Sequence, residues 1–163
     1  KSFIRIGSAG AVQSDVAVGD LIIAEGAVRE DGASRMYVPT EYPAVADPLL
    51  TLKLINSCQR LGYTYHTGIV RSHDSFYIDE ETDVMRYWNR KGILGSDMET
   101  AAIFTVARLR GLKAASILNN VVRFEEDVTS GIGEYVAKAD DASQGEHREI
   151  RAALETLKNM GMN

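Results

Sequence analysis

Apolar residues come along this chain in short blocks, some continuous and some at helical spacing. Phe3 to Ile6 reads as a strand, broken by Gly7-Ser8-Ala9-Gly10. Leu21 to Val28 reads as a second strand, introduced by the turn residues Gly19 and Asp20. Residues 29 to 46 carry Gly32, Pro39 and Pro43 with little periodicity, which predicts a long loop of the kind that often serves function. Asp47-Pro48 is a helix start, because the carboxylate can cap free amides and proline fits the first helical position. Leu50, Leu54, Cys58 and Leu61 then recur at helical spacing, and Gly62 supplies the stop. Thr64 to Val70 follows as a strand. Asp79 to Arg90 reads as a helix with Val84, Met85 and Trp88 on one side, closed by Gly92. A short strand at Ile93-Leu94, a helix from Asp97 to Arg110 and a strand from Ala114 to Val122 come next. After a polar segment from Glu125 to Gln144, the chain ends in a helix with Ile150, Ala153, Leu157 and Met160 on one face. Strands alternating with helices over short connections predict a layered α/β domain with a largely parallel sheet.

Composition narrows the function classes. Hydrophobic residues make up 45% and charged residues 25% of the 163, values of a globular chain. The apolar runs are too short to cross a bilayer, and no signal-peptide pattern opens the chain, so no membrane partner is expected. A net charge of −5 without a Lys/Arg cluster argues against a nucleic-acid partner. Cys58 is the single cysteine, so no internal disulfide is possible and a cytoplasmic setting is expected. No Cys/His spacing fits a metal. A core strand at the extreme terminus is uncommon, so further sequence is expected before Lys1.

Three segments could carry chemistry. In Arg5-Ile6-Gly7-Ser8-Ala9-Gly10 a strand runs into glycines; exposed amides, a guanidinium and a hydroxyl can together hold a phosphate dianion. The same residues also read as a plain tight turn. Ser96-Asp97-Met98-Glu99 has the form of a capping box at a helix start. Alternatively Glu99 offers two acceptor oxygens to a vicinal diol such as ribose, with Met98 packing on the sugar. Asp74-Ser75-Phe76-Tyr77 puts aromatics at a strand's end, where they either stack on a flat base or close a loop over the core. His66, His73 and His147 read as structural or surface residues. Asn119-Asn120, inside an apolar strand, either satisfies neighbouring backbone or faces a cleft.

Taken together, these segments resemble the nucleoside phosphorylase family, its uridine phosphorylase branch in particular. Residues 3 to 13 resemble the family's strand and phosphate loop. Arg29 to Ser34 and Pro43 to Asp47 resemble a uridine phosphorylase loop, Asp74 to Tyr77 the base-pocket segment, and Gly95 to Ala102 the ribose-binding signature. The resemblance implies a three-layer αβα fold with a mixed, largely parallel central sheet, phosphorylase/hydrolase-like, with residues 1–163 forming one domain that makes up the C-terminal two-thirds of the fold and the N-terminal part missing. It implies that Arg5, Gly7 and Ser8 bind phosphate and that Met98 and Glu99 hold the ribose, with Asp97 in the place of the signature's first glutamate. It further implies that Phe76, Val121, Val122 and Arg123 face the base. Arg5 and Glu99 become the catalytic candidates.

The implied activity is phosphorolysis of a nucleoside, uridine or a related pyrimidine nucleoside, to free base and (deoxy)ribose 1-phosphate. Inorganic phosphate is the co-substrate and no cofactor or metal is called for. The implied partner is a second copy of the chain, in a dimer-based homo-oligomer or hexamer with sites shared between subunits. Glu80 and Thr82 stand where the branch places the glutamine and arginine that read uracil, and Val121 stands where purine-specific relatives place an aspartate. A purine nucleoside phosphorylase, a nucleosidase and a catalytically silent nucleoside-binding homologue are therefore the alternatives.

Overall fold

A computed structural model describes residues 1–75, 77–124 and 139–160. Its strands are β1 (Ser2–Ala11), β2 (Leu21–Glu30), β3 (Ala44–Val45), β4 (Tyr65–His73), β5 (Gly95–Asp97) and β6 (Lys113–Val122). Its helices are α1 (Gly32–Arg35), α2 (Pro48–Leu61), α3 (Glu81–Asn89), α4 (Thr100–Leu109) and α5 (Ala139–Met160).

The helices begin and end where their local chemistry dictates. Asp47 caps α2 by accepting from the Leu50 amide at 2.8 Å, and Pro48 occupies its first turn. Leu50, Leu54 and Cys58 of that helix are buried, as their spacing predicts. The predicted face of the last helix is corrected. Ala142, Gly145, Glu149, Ala152, Ala153 and Thr156 form the buried stripe of α5, while Leu157 is 41% exposed. Small residues win that face because the helix lies tightly against β6: a Cβ on Gly145 would come within 1.9 Å of Asn119 Oδ1.

The predicted break at Gly7 to Gly10 is also corrected. β1 runs straight through it, paired in parallel with β6 from Ser2↔Lys113 to Ala9↔Asn120, and shifts register only between Ala9 and Gly10. Beyond that bulge Gly10 and Ala11 pair antiparallel with β5. The predicted strand at Ile93-Leu94 lies slightly later, at Gly95–Asp97.

Residues 29 to 46 are not an open loop. Buried Arg29 ties them together, donating to Ser34 Oγ at 2.9 Å and to the carbonyls of Pro39 and Tyr42, each at 2.6 Å.

The expected layering holds in its coarser form, a mixed α/β sheet with helices on both faces. Within that form the sheet closes on itself. Strand order is β3-β2-β4-β5-β1-β6, and β6 pairs again with β2. β2 makes this possible by changing partners along its length. Leu21 to Ala24 run antiparallel to β6, and Gly26 and Ala27 run antiparallel to β3. The change falls at an irregularity between Ala24 and Gly26, where an extra residue bends the strand. Leu21 and Ile23 pack towards Leu50, Leu54 and Cys58 of α2 and Ala152 of α5. Ile22 and Ala24 pack towards Phe104 of α4. That is why Leu21 to Ala24 show no polar alternation: both faces of the strand are buried. No described helix is long and apolar enough to cross a membrane.

Candidate active site

The carboxyl ends of β1, β4, β5 and β6 open onto one cavity of about 1050 Å³, at the upper end of the ~300–1,000 Å³ usual for ligand sites. Strand ends are where open α/β sheets offer free backbone and polar side chains to ligands.

Arg5, Gly7, Ser8, Asp97, Met98, Glu99, Val121, Val122 and Arg123 all line it, so the residues singled out from three separate stretches share one wall. Phe76 lies outside the described residues; its neighbour Tyr77 lines the cavity and is 71% exposed.

Arg5 is the centre of the arrangement. Its guanidinium contacts the Glu99 carboxylate directly and reaches Asp97 Oδ2 at 3.2 Å. It folds back across Gly7, where a Cβ would come within 2.2 Å of Nη1. The glycine leaves room for the guanidinium to lie across the strand and is not part of a turn.

The two carboxylates facing Arg5 differ in kind. Asp97 has a side chain with no exposure and accepts from Ser72 Oγ and Thr100 Oγ1, each at 2.5 Å, and from the Thr100 amide at 3.0 Å. Ser72 Oγ accepts in turn from the Ala101 amide at 2.9 Å, and Thr100 Oγ1 lies 3.0 Å from Ser116 Oγ. With its oxygens engaged, Asp97 holds Arg5 and the first amide of α4. The capping box, one of the two readings of this segment, does not form. Ser96 Oγ has no partner, and Glu99, at the cap position, makes no side-chain cap bond. Glu99 instead turns a side chain 56% exposed into the cavity, against Arg5.

The remaining expectations divide. His147 is exposed, and His66 pairs with Asp20 at 3.1 Å, both away from the cavity. His73 is buried in the cavity wall, with Nδ1 2.6 Å from the Ser75 carbonyl, so the site includes a residue that sequence reasoning set aside. Asn119 donates to the Ala142 carbonyl at 2.8 Å, and Asn120 to the carbonyls of Val16 and Ala17, which settles them as backbone braces.

Sequence reasoning also missed two acids. Glu81 lines the cavity, with Oε2 buried and without a hydrogen-bond partner. Glu149, 3% exposed, accepts from the Gly7 amide at 3.1 Å. Burial pushes its carboxyl up to about 7, against the pull of the Gly7 and Asn119 amides and Arg5. The available signal was a lone glutamate on a stripe of alanine, glycine and threonine.

Comparison with known proteins agrees with this geometry. A family model described as the phosphorylase superfamily matches residues 1–155. The uridine phosphorylase of Thermococcus kodakarensis is 40% identical over 128 residues, which cover 71% of this chain and 46% of that protein. The guanosine phosphorylase of Halorubrum lacusprofundi is 34% identical over 96% of this chain and 65% of its own length. The chain thus spans between about half and two thirds of the curated relatives it matches. A crystal structure of uridine phosphorylase from Vibrio fischeri superposes with a TM-score of 0.87 at 49% identity, covering 96% of this chain and 63% of that one. A match that runs almost from end to end, over a sheet whose strand ends gather the Arg5 cavity, places this chain in the phosphorylase superfamily.

Proposed function

We propose that the protein is a nucleoside phosphorylase, acting on uridine or a related pyrimidine nucleoside to give the free base and (deoxy)ribose 1-phosphate. The observation that carries this reading is the contact between Arg5 and an exposed Glu99 in one cavity. A guanidinium suits a phosphate dianion, and a carboxylate suits two neighbouring hydroxyls. In the structure the two groups pair with each other. Phosphate would take Arg5, with the Ser8 hydroxyl alongside, and release Glu99 to the ribose, with Met98 against the sugar.

In the reaction a phosphate oxygen bonds to the anomeric carbon while the glycosidic C–N bond breaks and its electron pair leaves with the base. The base then takes up a proton. Positioning the nucleophile and holding a dianion against the cationic sugar supply the catalysis. Water as nucleophile would need no guanidinium clamp, which favours phosphorolysis over hydrolysis.

A second reading concerns the base. The buried, unpartnered Oε2 of Glu81 is an acceptor only. Guanine presents an N–H and an amino group side by side, whereas uracil offers one N–H between two carbonyls. This oxygen can accept the N–H of either base, so guanosine is the second substrate to test, and a guanosine phosphorylase is among the relatives.

The test is turnover of uridine, thymidine, inosine, guanosine and adenosine by the full-length protein, with and without phosphate. Phosphate-dependent release of ribose 1-phosphate is expected. Hydrolysis without phosphate, or binding without turnover of any of the five, would overturn the reading. We also propose a homo-oligomer with shared sites, supported by exposed Met36, Leu49 and Leu52 and tested by light scattering.

A further inference from the structure

Glu149 belongs to no part of the chemistry above, yet it sits directly beneath it. It projects from the buried stripe of α5 onto the edge of β1, where it accepts from the amide of Gly7, the residue that Arg5 lies across. It is 3% exposed and is not part of the cavity wall. We infer that Glu149 is a positioning residue for anion binding, which fixes the phosphate strand at Gly7 and sets how strongly Arg5 holds an anion. The inference rests on the reading of Arg5 as the phosphate ligand.

The charges around Arg5 and Glu149 are linked. Arg5, from β1, attracts the ionised carboxylate, and Glu146, from the same helix, repels it. β6 faces it with the Asn119 amide, and the packing of α5 on α2 occurs further along, where Thr156 donates to Ser57. On the cavity side Arg5 already meets Asp97 and Glu99. An ionised Glu149 adds a further negative charge behind the guanidinium and weakens its hold on an incoming dianion. By reciprocity, an anion on Arg5 makes Glu149 harder to ionise, so anion binding draws a proton onto it.

The direction with pH follows. The carboxyl, ordinarily at 4.5, is raised by burial to about 7 in the fold. Its protonated form is thus the one the fold favours. Its contribution to stability is present below about 4.5 and is lost as pH rises towards and through 7. Anion affinity falls over the upper part of the same window, as the carboxylate forms.

Sulfate is the probe, because it keeps its charge over this range whereas phosphate titrates. Calorimetric titration of the full-length protein with sulfate should show affinity falling about five- to tenfold from pH 6 to pH 8, the low end of couplings between sites. Proton uptake on binding should appear when the titration is repeated in buffers of different ionisation heat. Glu149→Gln should flatten the pH profile and abolish the uptake. Because that substitution touches a buried bond, Glu146→Gln, at an exposed position, provides a second variant. It should move the inflection to lower pH, since Glu146 raises the carboxyl.

A slope that survives Glu149→Gln would assign the effect to another group such as His73 and overturn the proposal. So would an inflection unmoved by Glu146→Gln. Sulfate binding with no pH dependence would overturn the proposal alone. No sulfate binding at all would remove the Arg5 anion site as well.

Discussion

Replacing Asp97 distinguishes the structure's account of that residue from its expected role at the ribose. The side chain has no exposure and receives two hydroxyls, one amide and the Arg5 guanidinium. Asp97→Ala removes the cap of α4, worth about 1 kcal/mol. It also leaves the Ser72 hydroxyl proton without an acceptor, at about 1–3 kcal/mol for a buried group. Arg5 keeps Glu99 on its exposed side only. Breaking a buried pair from one side costs about 3–5 kcal/mol in all, a large part of a typical ~5–15 kcal/mol stability. Asp97→Asn keeps the shape. Its oxygen can serve Thr100 and Arg5, and its amide must face Ser72, whose hydroxyl then reverses. Trading charge-assisted for neutral bonds costs less, about 1–2 kcal/mol. Urea unfolding at fixed protein concentration, followed by the fluorescence of Trp88, reads both values as midpoint shifts. Phosphate affinity should fall in Asp97→Ala, where Arg5 loses the group that orients it from the buried side. An Asp97→Ala protein within about 0.5 kcal/mol of the parent, as surface changes usually are, would refute the argument. So would an Asp97→Asn protein altered only in KM for the nucleoside, which is how a ribose ligand would behave.

Glu99→Gln should leave the unfolding midpoint unchanged, since the side chain is largely exposed, yet raise the nucleoside KM by about tenfold or more for a lost charged hydrogen bond. The same change should tighten phosphate binding, because it removes the carboxylate that competes for Arg5; equilibrium titration reads both effects. Gly7→Ala sets a methyl against Nη1, the mobile end of Arg5, so the guanidinium should shift and catalysis fall with little change in the unfolding midpoint, and unchanged kinetics would disprove the close approach. Burial raises the Cys58 thiol to about 11, so it should resist alkylation at pH 8 until urea unfolds the chain; rapid labelling of the native protein would contradict that burial.

What the sequence disclosed was whatever is written locally. Asp47, Pro48 and Gly62 bound α2 within a few residues, and the run from Leu21 shows a strand covered on both faces because nothing polar interrupts it. Local punctuation misled where a distant partner decided the outcome. Gly7 reads as a turn but serves as floor space for the Arg5 guanidinium in an unbroken strand, whose continuity depends on β6 far along the chain. Closure of the sheet depends on β2 changing partners at Gly26, and no short motif marks such an event. In the same way Asp97 and Glu99, neighbours in one signature, part company only because Ser72 and Thr100 take up the first of them. Glu149 stayed hidden because the amide it holds lies 142 positions away.

In the proposed function Arg5 is the group that holds phosphate against the sugar. The most direct measurement is the rate of ribose 1-phosphate formation by the full-length protein and by Arg5→Ala, at equal concentrations of folded protein and saturating nucleoside. Loss of a charged group aimed at the reacting anion should lower the rate by about 10²–10³-fold, with folding retained through the other contacts of β1. A rate within a few-fold of the parent would show that phosphate is held elsewhere, and the central claim would fall.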